Sequence, residues 1–91
     1  MNMGFYGKYV LQYLLKALGN NNETLDDIVA KTEGFDDFLE LEEDIWFEQK
    51  LAFTIWTKNF VYFPAGYDGD EWIASVPRNP CNIKTPMVGG G

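Results

Sequence analysis

The 91-residue chain has no histidine and a single cysteine, Cys81. The first absence removes the commonest general base and the commonest metal ligand together. The second excludes an internal disulfide and leaves neither a catalytic thiol–imidazole pair nor a zinc site within reach. Such cysteine usage fits a reducing, cytosolic compartment. No glycine-rich loop opens a helix, so the usual signature of nucleotide binding is missing. No apolar run approaches the roughly 18 residues that span a membrane. Lys8, Gln12 and Lys16 interrupt the apolar N-terminal stretch, which lacks a small-residue cleavage site and reads as a helix, not a signal peptide. Base is scarce too, with seven Lys and Arg against fourteen Asp and Glu and a net charge of −7. Without a Lys/Arg face to contact phosphates, direct binding of nucleic acid is disfavoured. Paired carboxylates can hydrolyse glycosides, but a chain this short builds little of a cleft beside its core. The Asp68–Glu71 segment, DGDE, lacks the ligand spacing of a calcium loop. The expectation is a protein that is not an enzyme and holds no cofactor or metal.

Apolar residues make up 46% of the chain and aromatics 16%, enough for one compact core and too much for disorder. The charge is unevenly placed. Between Glu23 and Glu48 stand eleven acids and one base, Lys31, whereas the remainder carries three acids and six bases. Those segments sum to −10 and +3, a polarisation that directs a field at something.

Residues 4–18 place Tyr6, Val10, Tyr13, Leu14, Ala17 and Leu18 at helical spacing, with Gly19 positioned to end the helix. The aromatics Phe5, Tyr6, Tyr9 and Tyr13 read as core packing. A second, two-turn helix is expected over 24–33, capped by Thr24 and Asp27, with Leu25, Ile28 and Val29 as its buried stripe and Gly34 as its stop. A third is expected over 36–57. Its apolar face would hold Phe38, Leu41, Ile45, Ala52 and Trp56, and its opposite side a row of carboxylates: Asp36, Glu40, Asp44 and Glu48, with Glu43 alongside. Three like-charged i, i+4 pairs cost a helix on the order of 1 kcal/mol, which interspersed lysine would have avoided. Phe47 and Leu51 lie beside the row, where a purely solvated face has no need of them.

The period then becomes alternating. Lys58–Phe63 and Glu71–Val76 read as the strands of a hairpin, with PAGYDGD between them for the turn. Pro77, Pro80 and Pro86 make the remainder an extended tail, from which Ile83 or Met87 would pack back onto the domain. The expected fold is α+β, three helices followed by a β-hairpin, with a single domain over residues 1–76 and a tail over 77–91.

That order, helix (4–18), short helix (24–33), longer helix (36–57) and hairpin (58–76), resembles a winged helix-turn-helix domain over about four-fifths of the chain. The resemblance implies a third helix that enters the major groove, yet here that helix carries Asp36, Glu40, Glu43, Asp44 and Glu48, which phosphates would repel. The concentrated carboxylate face is also similar in style to the small acidic inhibitors encoded by bacteriophages, anti-CRISPR and anti-restriction proteins among them. Several of those act as DNA mimics on a host enzyme.

Two functional readings follow. In the first, Asp36, Glu40, Glu43, Asp44 and Glu48, with Phe47 and Leu51 as apolar anchors, bind a protein partner with a basic, nucleic-acid-binding surface. The blander version of that face is a solubilising surface. In the second, the chain is a small structural or assembly protein, a virion component or homo-oligomer, that uses Tyr6, Tyr9, Tyr67, Trp72 and the tail.

Overall fold

The computed structural model describes residues 10–38, 52–67 and 70–88. Helix α1, Val10–Asn20, turns Val10, Leu14, Ala17 and Leu18 inward at the i, i+4, i+7, i+8 spacing that the sequence shows, and Leu15 and Lys16 outward. Gly19 does not end it. The chain reverses at Asn22, whose φ of 59° is left-handed. There the Glu23 N–H bonds to the Leu18 carbonyl (2.9 Å) and the Asn22 N–H to the Gly19 carbonyl (3.0 Å), the paired bonds of a Schellman motif. Asparagine tolerates that conformation better than most residues. Gly19, by contrast, stands in the helix with open space around any added Cβ. Gly19→Ala should therefore raise stability by about 0.5–1 kcal/mol, read as a higher urea midpoint at unchanged m-value.

The expected second helix is corrected. Asp27 does cap Thr24, its carboxylate accepting from the Thr24 N–H at 2.8 Å, but only a 3-10 turn, Leu25–Asp27, follows. Ile28–Lys31 is a strand, β1. The β-branched Ile28 and Val29 favour extended backbone, and a partner strand is at hand. Of the stripe expected for that helix, Ile28 alone is half-buried; Leu25 is 44% exposed and Val29 62%. A turn then bonds the Phe35 N–H to the Thr32 carbonyl at 3.2 Å, and it needs Gly34 at φ 84°.

The third helix is corrected as well. Among the described residues its start is helical, α2 at Phe35–Phe38, and its end, from Ala52, is extended backbone leading into strand β2, Ile55–Thr57. Phe53, Ile55 and Thr57 are buried while Thr54 and Trp56 between them are half-buried, the alternation of a strand. Thr32 and Thr54 extend the β1–β2 pairing by two further hydrogen bonds, of 3.0 and 3.1 Å.

The hairpin is present and longer than expected: β3, Phe60–Tyr67, pairs with β4, Asp70–Pro77, over eight residues each. Pro64 thus lies inside β3, in the part that extends past β2, where no ladder donor is required on that side. The four strands form one antiparallel sheet in the order β1-β2-β3-β4. In place of three helices and a hairpin, the described residues give a β-rich meander with one helix longer than a turn, and this is not a winged helix.

One face of the sheet meets α1, and the core gathers Val10, Leu14, Ala17, Leu18, Phe35, Phe53, Ile55, Tyr62 and Ile73. Phe35 and Phe53 pack ring to ring at 4.8 Å. The register puts Trp56, Val61, Phe63, Ala65, Trp72 and Val76, all half-buried, on the other face. Beyond β4, Arg78 donates from its backbone to Asn59 (2.8 Å) and from its guanidinium to the Thr57 carbonyl (2.9 Å), and Asn79 donates to the Lys58 carbonyl (3.0 Å). The expected return of the tail does not occur: Ile83 is 56% and Met87 96% exposed.

Candidate partner-binding surface

Of the residues that the sequence singles out for the acidic face, Asp36 is described; Tyr67, exposed, and Trp72, half-buried, are described members of the assembly reading, and Tyr6 and Tyr9 lie outside the described residues. Asp36 sits on α2, exposed, and accepts a hydrogen bond from Lys31 at 2.8 Å. Glu40, Glu43, Asp44, Phe47, Glu48 and Leu51 lie outside the described residues, so the structure neither assembles nor breaks the expected row.

The acids that precede the row divide by use. Glu23 turns inward, and one of its carboxylate oxygens accepts from the Thr57 hydroxyl (2.9 Å) and the Tyr62 hydroxyl (2.5 Å). Asn21 donates to the Tyr62 oxygen and to Ser75, both at 3.0 Å, and the Thr57 hydroxyl oxygen accepts from the Phe60 N–H at 3.0 Å. The Schellman turn thus lowers two polar side chains from the end of α1 onto three strands. Thr57 and Tyr62 are fully buried, so the network meets hydrogen-bonding needs that water cannot. Burial, and then the Glu23 carboxylate, push the Tyr62 hydroxyl well above the usual tyrosine range. It stays protonated at any physiological pH, a structural donor and not a base.

Asp26, Glu33 and Asp36 face solvent around β1, and Asp27, also exposed, closes its cap. Among the described residues neither Asp26 nor Glu33 has an ion-pair partner. Beside these acids a pocket of about 360 Å³ opens between α1 and β1, lined by Leu11, Leu25, Ile28, Val29 and Phe35 among others. The groove is not legible from helical spacing, which puts Leu25, Ile28 and Val29 on the buried stripe of a helix. The β-branched pair Ile28–Val29 is the signal that favours a strand there. Among the described residues no group of three or more His, Cys, Asp or Glu could hold a metal ion, and no helix is long and apolar enough to cross a membrane. No family model matches the chain, and neither does any curated protein or solved structure compared with it.

Proposed function

We propose that the chain is a non-enzymatic, cytoplasmic protein-binding domain whose acidic surface occupies a basic, nucleic-acid-binding surface of a partner. This is the manner of small phage-encoded inhibitors that mimic DNA. The observation that carries the reading is the concentration of charge, eleven acids to one base between Glu23 and Glu48. The exposure of Asp26, Asp27, Glu33 and Asp36 supports it, because these described members face solvent and are not consumed inside the fold. Asp36, Glu40, Glu43, Asp44 and Glu48 supply the field, with Phe47 and Leu51 as apolar anchors.

Binding of this kind weakens with salt, as the Debye length shrinks from about 10 Å at 0.1 M to about 3 Å at 1 M. The test is the double charge reversal Glu40→Lys/Asp44→Lys. Partner capture from a host lysate should fall by about a hundredfold or more while the circular dichroism spectrum is unchanged, since juxtaposed like charges cost an interface several kcal/mol. Capture at wild-type level by the double mutant would sink the acidic-face reading.

A second reading, an assembly protein, is favoured by the tail, which leaves Ile83, Met87 and Val88 exposed. Because Arg78 and Asn79 are tied to the β2–β3 turn, truncation should begin at Pro80. A salt-insensitive homo-oligomer that dissociates on this truncation would favour assembly over inhibition.

A further inference from the structure

Strand β1 is at the edge of the sheet, and among the described residues no strand pairs with its outer side. An edge strand offers a row of backbone donors and acceptors to any extended segment laid beside it. Edges are ordinarily protected by inward charge, by lysine or by a covering element. Here Lys31 is engaged by Asp36, while Val29 and Leu25 stand exposed beside the apolar pocket. A bulge at Val29 shortens the free ladder without closing it.

We infer that the groove between α1 and the outer edge of β1 is a docking site for an extended, basic segment of a partner protein. The segment pairs with Ile28–Lys31 and seats an apolar side chain among Leu11, Leu25 and Phe35. Charge decides the occupant. The rim carries Asp26, Asp27, Glu33 and Asp36 against Lys31 alone, so a second copy of this chain would set acid against acid. A lysine- or arginine-bearing strand meets the opposite field at both ends of β1. Backbone pairing supplies affinity in this mode, and the pocket supplies selectivity for alternate side chains.

This inference rests on the reading of a basic partner and specifies the shape of what is bound. The test uses the full chain and an eight-residue peptide that alternates lysine and valine, followed by amide NMR. The peptide should protect the amide of Lys31, whose N–H alternates away from β2, and should shift the amides of Val29 and Ala30 beside it. A version N-methylated at every second residue cannot complete the ladder and should bind about tenfold more weakly. Leu25→Lys, at an exposed position, should weaken the unmodified peptide by a similar factor with the fold intact. Shifts scattered over the acidic surface, or equal binding of the two peptides, would overturn the inference. So would a salt-insensitive dimer that protects the same amide. The Glu40→Lys/Asp44→Lys variant separates the two readings. Peptide binding retained in it, alongside lost partner capture, supports both, whereas normal partner capture with β1 protection intact leaves the groove standing and removes the acidic row.

Discussion

Leu14→Ala is expected to lower stability by about 2–5 kcal/mol, the range for leucine truncations in packed cores. A chain of this size has a total stability of about 5–14 kcal/mol, so the loss is a large fraction of it. Leu14 is 0% exposed and lies between Val10 and Leu18 on the buried stripe of α1. It also forms part of the wall of the groove beside β1. Truncation there leaves a void that opens toward the groove and not a sealed cavity. Neighbours such as Leu11 and Leu25 can then relax into it, which places the effect in the middle of the range. Leu15, 39% exposed on the same helix, is the control, and its alanine variant should fall within about 0.5 kcal/mol of the parent. Thermal unfolding reads both, at roughly 4–8 °C per kcal/mol for a small domain. Equal melting temperatures for the two variants would mean that α1 does not pack as described.

The second large effect is expected at Glu23. Glu23→Ala removes the acceptor of two buried hydroxyls at once, those of Thr57 and Tyr62. An unsatisfied buried donor costs about 1–3 kcal/mol; Tyr62 becomes one, while Thr57 falls back on the Phe60 carbonyl 3.4 Å away, so the variant should lose about 2–4 kcal/mol. Tyr62→Phe alone should lose less, since it deletes the hydroxyl along with its need. The double variant should therefore lose less than the sum, by about 1 kcal/mol or more in a double-mutant cycle. Strict additivity would show that the two groups do not interact.

The burial of Tyr62, and after it the hydrogen bond to Glu23, carries a pH signature. The folded chain holds the Tyr62 hydroxyl above its unfolded value of about 10, so folding favours the protonated form. That contribution is fully present below pH 10 and erodes as pH rises above it, when the unfolded chain begins to lose the proton first. Denaturant midpoints of the parent should fall between about pH 10 and pH 11 more steeply than those of Tyr62→Phe. Parallel curves would remove the assignment.

The helix α1 and the β3–β4 hairpin are legible in the sequence because each is decided locally, by a stripe at Val10, Leu14, Ala17 and Leu18, and by alternation on both sides of a turn. Strands β1 and β2 are not. Ala52 and Trp56 fit a helical face as well as a strand, and Leu25 with Ile28 and Val29 fit a two-turn helix. What decides both segments is their pairing with each other across more than twenty residues, Ala30 with Trp56 and Lys31 with Ile55, and period-counting carries no trace of that. The winged-helix resemblance does not hold for the same reason, since it rests on an order of elements that these pairings replace. Glu23 reads as one more surface acid because its partners are 34 and 39 residues away. Of the acidic row, Asp36 is among the described residues, and it is already engaged by Lys31. The groove is hidden along with β1, because Leu25 and Val29 face it only once Ile28–Lys31 is a strand.

The hydrogen bonds from Arg78 and Asn79 also fix where the tail leaves the domain. Ile28, Thr57, Phe60 and Pro77 form one row across the end of the sheet, so Pro77 is three strand spacings, about 15 Å, from the groove end of β1. Cys81, exposed and the single thiol in the chain, follows four residues later and therefore lies within about 30 Å of Ile28. A maleimide dye or nitroxide attached there would watch the groove from the side without touching it, and the sequence needs no engineered cysteine to carry one.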